Sequence, residues 1–182
     1  MRPSSGRTGV QIEQINAEIF TLTYGALVRQ LLMDYDDLED VHKQLDKMGH
    51  NIGIRLIDEF LSKSQTPRCS SFPETVACVA KQGFTMFLNI QAEVKDWNAE
   101  ETECSLVFVE NPLADFAELP SEYKELRFSQ VLCGVIRGAL EMVNMDVECE
   151  FRKDMLQGAD CYEIRMKLIS NEPEQYPFKD DD

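Results

Sequence analysis

The sequence predicts an α+β domain in which helices lie in a layer on one face of an antiparallel sheet. Through the first half of the chain, apolar residues recur at three- and four-residue spacing, the mark of helices with one buried face. Near the C-terminus the pattern changes to strict alternation on both sides of Gly158, the mark of a half-buried hairpin. Between that hairpin and an earlier pair of short strands lies one apolar, glycine-bearing helical stretch. The order is αααββαββ, and 182 residues suffice for a single domain with its own core.

Residues 1–11 are small, basic and polar, and are expected to form a disordered arm before a folded domain at 12–169. The first helix is predicted from Ile12 to about Met33. Ile12, Ile15, Ile19, Leu22 and Ala26 make one stripe, and Phe20, Tyr24, Leu27 and Leu31 widen it. A helix so broadly apolar is expected to be buried on two sides. The acidic cluster Asp34, Asp36, Asp37, Glu39 and Asp40 opens the second helix, where negative charge complements the dipole. Along it Leu38, Val41, Leu45, Met48, Ile52 and Leu56 fall close to heptad spacing. Gly49 and Gly53, four apart, would admit another backbone, either within the chain's own helix hairpin or at a subunit interface.

The third helix carries the strongest functional signal. A polar loop, Ser64 to Ser71, contains Cys69 beside Arg68. Ser71 and Glu74 then form a capping box, with Pro73 in the first turn. Beyond it Val76, Val79, Ala80, Gly83, Phe84, Phe87 and Leu88 lay an apolar stripe along a helix to about Leu88. A thiol at a helix N-terminus beside a guanidinium is expected to favour thiolate. An activated sulfur at the mouth of a greasy helix face suits covalent attachment of a fatty acyl chain. The plainer reading of the same segment is an ordinary loop thiol before a core-packing helix.

Two short strands are predicted at Ala92–Trp97 and Cys104–Val109, followed by a Pro-bounded loop from Asn111 to Pro120. A fourth helix runs from about Phe128 to Val143. Its Gly134 and Gly138, again four apart, point to a tight contact, because each costs roughly 1 kcal/mol inside a helix. The closing hairpin alternates Val147, Cys149 and Phe151 with charged residues, then Tyr162, Ile164, Met166 and Leu168 likewise. Residues 170–182 are expected to be an acidic flexible tail.

The charge narrows the function. Lys and Arg number 18 against 33 Asp and Glu, a net charge of −15, which repels nucleic-acid phosphates and anionic headgroups. Six cysteines lack any CxxC pair, and only His42 and His50 could join them, so no metal site is expected. With no signal segment and no spanning run, a cytoplasmic protein is expected, reaching membranes through a partner or a lipid. Phosphate loops, dinucleotide fingerprints, serine-hydrolase elbows and HExxH are all missing. The one catalytic arrangement worth stating is Cys69 as nucleophile with His50 or His42 as base. The expectation is no catalytic residue and no enzyme.

Five strings carry a family resemblance: Phe20–Val28, Leu45–Gly49, Asn51–Ile57, Asn111-Pro112-Leu113 with Phe116 and Glu118-Leu119-Pro120, and Cys133–Val143. Together, over about residues 16–169, the sequence resembles the small-subunit family of the TRAPP vesicle-tethering complex. The resemblance implies a compact α+β plait acting as a core scaffold in ER-to-Golgi transport, peripheral at cis-Golgi and ER–Golgi membranes. It implies pairing of the first two helices with related small subunits, or with a second copy when isolated. Ile19, Leu22, Leu45, Met48, Ile52 and Leu56 are the interface candidates. Nucleotide exchange on a Rab-family GTPase would belong to the assembly.

It further implies palmitate on Cys69, with the acyl chain inside the protein and no cofactor besides. Phe72, Val76, Val79, Ala80, Gly83, Phe84 and Phe87 are the candidate channel lining. From Pro73 to Leu88 a helix rises roughly 24 Å, enough to line a sixteen-carbon chain. Burying that chain contributes up to about 12 kcal/mol at ~0.8 kcal/mol per methylene. The alternative is a stand-alone cytosolic acyl-binding protein, which would need the Cys69 pocket but not the apolar first helices.

Overall fold

The structure is a computed structural model describing residues 15–171, Gln65 and Arg68 excepted. Two long helices come first, α1 (Ala17–Asp34) and α2 (Leu38–Ser64). A third rod follows in three parts: α3 (Phe72–Cys78), a π-helical turn at Val79–Gly83, and α4 (Phe84–Leu88). Then come β1 (Glu93–Lys95), β2 (Glu103–Phe108), α5 (Val131–Glu141), β3 (Met145–Lys153) and β4 (Tyr162–Asn171). The predicted order holds. The fourth predicted helix is shorter than expected, because Phe128–Gln130 form turns ahead of it.

All strands pair antiparallel in the order β1-β2-β4-β3, so two sequence-local hairpins meet at β2 and β4. Alternation sorts the faces as predicted. Met145, Val147 and Phe151 of β3 and Tyr162, Ile164 and Met166 of β4 are buried under the helices. The other face carries cross-strand polar pairs, Arg165 with Glu103 at 2.8 Å and Lys153 with Glu163 at 3.3 Å. These pairs are partly exposed, so each adds only modest stability.

The two glycine pairs face each other. A Cβ added at Gly49 would stand 2.9 Å from the Val135 amide nitrogen, and one at Gly53 would stand 2.8 Å from that of Ala139. From the other side, a Cβ at Gly134 would meet the His50 nitrogen at 2.8 Å. The backbones of α2 and α5 therefore touch, and the close approach lies within the chain. This resolves the Gly49/Gly53 alternatives in favour of the chain's own core, and makes α5 the central helix.

The π turn has a packing reason. Phe72, Val76, Ala80 and Phe84 are all buried and each lies four residues from the last. In an α-helix every four-residue step overshoots a full turn by about 40°, which would rotate Phe84 off the core. One wider turn between Ala80 and Phe84 brings the ring back, onto Phe108 at 5.3 Å between centroids. Left-handed Asn89, with φ 56°, ends the rod.

Helix α1 is the exception to the buried-on-two-sides expectation. Only Thr21, Tyr24 and Val28 are buried along it. Tyr24 donates its hydroxyl to the Phe128 carbonyl, and Thr21 donates to the Pro112 carbonyl at 2.5 Å. The predicted helix start at Ile12 and the arm at residues 1–11 lie outside the described residues. So do residues 172–182 of the expected tail, whereas Ser170 and Asn171 belong to β4, opposite Asp146 and Met145. Among the described residues no helix is long and apolar enough to cross a membrane, and no three potential metal ligands cluster.

Candidate functional site

Ser71 caps α3 as predicted, its hydroxyl accepting the Glu74 amide at 3.4 Å. The reciprocal half of the box is displaced by one residue. The Glu74 carboxylate accepts the Ser70 amide at 2.8 Å and the Ser70 hydroxyl at 2.7 Å, and these bonds hold it below the usual carboxylate range. At the other end of the loop, the Thr66 hydroxyl donates to the Gln82 side-chain oxygen. The loop is thus laid antiparallel along the helix and pinned at both ends.

Between the pins opens a surface cleft of about 520 Å³ lined by Thr66, Pro67, Cys69, Ser70, Glu74, Ala77, Cys78, Lys81 and Gln82. Cys69 is half-buried in it, as is Cys78. Burial, and then the neighbouring Cys69 sulfur, push the Cys78 thiol up to about 11. The expected contribution of Arg68 to Cys69 lies outside the described residues.

The predicted lining residues do not border this cleft. Phe72, Val76, Ala80 and Phe84 are buried in the core, Phe72 packing edge-on to Trp97 at 5.9 Å. The pinned loop sets Cys69 in a cleft that Cys78 and Gln82 also line. Val79, Gly83 and Phe87 form a separate half-buried flank, with Phe87 6.4 Å from Phe60 of α2. A Cβ on Gly83 would meet nothing within 4 Å among the described residues, so these leave space beside that flank.

Comparison with known proteins decides the family. Residues 20–167 match the family described as Transport protein particle (TRAPP) component. The chain belongs to the TRAPP component family. A Dictyostelium discoideum relative, trafficking protein particle complex subunit 3, is 55% identical over 159 residues, covering 87% of this chain and 86% of its own. The Schizosaccharomyces pombe transport protein particle subunit bet3 is 46% identical, covering 94% and 93%. Among solved structures, a trafficking protein particle complex subunit 3 from Naegleria fowleri superposes with a TM-score of 0.86. It is 51% identical over 89% of this chain and 100% of its own, and was solved covalently bound to palmitic acid. TRAPP membership agrees with the five strings that carried the resemblance.

The remaining candidates divide on this TRAPP fold. Ile19 and Leu22 stand out from α1 at 68% and 62% exposure, and Ile52 of α2 is also exposed. Met48 and Leu56 are half-buried. Leu45 is fully buried in the chain's own core and so is not a surface residue; heptad spacing alone could not separate its face from that of Ile52. Neither histidine lines the Cys69 cleft, which leaves the nucleophile–base arrangement without its base. His50 bonds Glu141 at 2.5 Å, and buried His42 accepts the Arg127 amide at 2.9 Å. Sequence reading missed Cys78 and Gln82. Their signal was present in the spacing from Cys69, but it became meaningful only once the loop was known to fold back on the helix.

Proposed function

We propose that this chain is a non-enzymatic scaffold subunit of a TRAPP-type tethering assembly, S-acylated by palmitate at Cys69. The observation that carries the acylation is the cleft: it opens on Cys69 in a chain 51% identical to a relative solved covalently bound to palmitic acid. The acyl chain leaves the polar mouth of the cleft past Gln82 and runs along the Val79–Gly83–Phe87 flank, where space beside Gly83 is free. It acts there as a core component, since buried methylenes stabilise the fold that holds them.

The exposed Ile19, Leu22 and Ile52 supply the surface for other small TRAPP subunits, and their exposure favours the scaffold over a stand-alone acyl carrier. Placement at cis-Golgi and ER–Golgi membranes, and exchange on a Rab-family GTPase, follow as properties of the assembly.

The test is the intact mass of protein from eukaryotic cells before and after hydroxylamine, with size and co-purifying subunits recorded together. A hydroxylamine-labile palmitoyl increment, lost in Cys69→Ser, is expected. An unmodified mass overturns the acylation, and a monomer with no affinity for small subunits overturns the scaffold.

A further inference from the structure

Cys69 and Cys78 are brought together by the same pins that shape the cleft. Thr66 bonds Gln82 at one end, and Ser70 bonds Glu74 at the other. Running antiparallel between these points, the loop places Cys69 opposite Cys78, nine residues later in sequence. Both thiols line one open cleft, and both are free and half-exposed. Cys104 and Cys133, by contrast, are fully buried in the core.

We propose that Cys69 and Cys78 form a reversible disulfide, and that the oxidised pair withholds Cys69 from acylation. The second half rests on the acylation reading above; the bond itself does not.

Peroxide is the oxidant. The Cys69 sulfur, on the open loop, attacks one peroxide oxygen; the O–O bond breaks, a sulfenic acid forms on Cys69, and the other oxygen leaves as water. Cys78 keeps its proton at neutral pH and acts as the resolving partner. Its sulfur displaces the sulfenic oxygen as a second water while the S–S bond forms. In sum, two thiols lose two hydrogens and two electrons, and peroxide is reduced to two waters. A dithiol reverses the step by exchange. The pinned loop limits the cost, because closing a short loop already held in place gives up little further chain entropy.

The experiment uses the full-length chain treated with hydroxylamine to free Cys69, then exposed to hydrogen peroxide. Trypsin, cutting after Arg68 and Lys81, releases residues 69–81, which contain both cysteines and no third. This peptide is expected to be lighter by two hydrogens, and dithiothreitol is expected to restore them. In Cys78→Ala, Cys69 is expected to carry a dimedone-trapped sulfenic acid instead. Retention of both hydrogens while other cysteines oxidise overturns the pair. So does equal trapping of Cys69 in wild type and Cys78→Ala.

Incubation of reduced and oxidised chain with palmitoyl-coenzyme A then tests the consequence. Loss of acyl uptake in proportion to the oxidised fraction, recovered on reduction, is expected; equal uptake overturns the switch. Failure of the reduced chain to take acyl groups overturns the acylation reading and the switch, while the peptide mass still decides the disulfide.

Discussion

A Cβ placed on Gly134 of α5 would stand 2.8 Å from the amide nitrogen of His50 on α2. The neighbour is backbone, so it cannot rotate aside. Gly134→Ala is therefore expected to cost about 1–3 kcal/mol or more, read as a lower urea midpoint. Gly83→Ala is expected to stabilise by roughly 0.5–1 kcal/mol, since nothing among the described residues lies within reach of the added methyl. Equal effects at the two positions would mean that the helices do not touch as described.

His42 predicts a pH dependence. Burial first, and the Arg127 guanidinium second, hold the imidazole below its ordinary pKa of 6.5, against the opposing pull of Glu39 and Asp37. The unfolded chain takes up the proton first. Stability is thus fully present above that pH and lost as pH falls below it toward the folded value. Unfolding midpoints measured in steps from neutral pH downward should decline, and His42→Gln should flatten the slope.

Asp154 works with the opposite sign. It is buried, one carboxylate oxygen has no partner among the described residues, and burial raises its pKa above the ordinary 3.8. Its contribution is present below that value and lost as pH rises through the folded pKa. Asp154→Asn keeps the oxygen that accepts the Leu156 amide at 2.9 Å and removes the charge. It is expected to raise stability at neutral pH, with the gain vanishing in acid.

Ile19 and Leu22 differ from Leu45 in where their loss should register. Replacing both α1 residues by Asp is expected to leave the chain's own stability within about 0.5 kcal/mol while abolishing co-purification of small TRAPP subunits. Leu45→Ala is expected to cost about 2–5 kcal/mol of stability. Calorimetry and pull-down from the same preparations separate the two.

The fold was largely legible because its signals are local. Alternation around Gly158 marked the last hairpin, and Ser71 with Pro73 marked the start of α3. Residues that depend on distant chain were less legible. The four-residue spacings of Gly49/Gly53 and Gly134/Gly138 each announced a close approach, but only the fold pairs them with one another. Phe72, Val76, Ala80 and Phe84 read as one greasy face together with Val79, Gly83 and Phe87. The π turn splits that face, sending the first four into the core and leaving the others as a flank. Cys69 stood out from its loop alone, whereas Cys78 needed the loop's hydrogen bonds to Glu74 and Gln82, which fold it back on the helix.

The bare backbone joint between α2 and α5 has a mechanical consequence. Side chains at an ordinary helix crossing can repack and absorb a small displacement, but here there are none to do so. Beyond Gly53, α2 continues as a stiff lever that reaches Phe60 after about 10 Å. The packing of Phe60 against Phe87, ring centroids 6.4 Å apart, is set by the angle at that fulcrum. A single methyl at the joint would shift the contact between Phe60 and Phe87, two helical turns away.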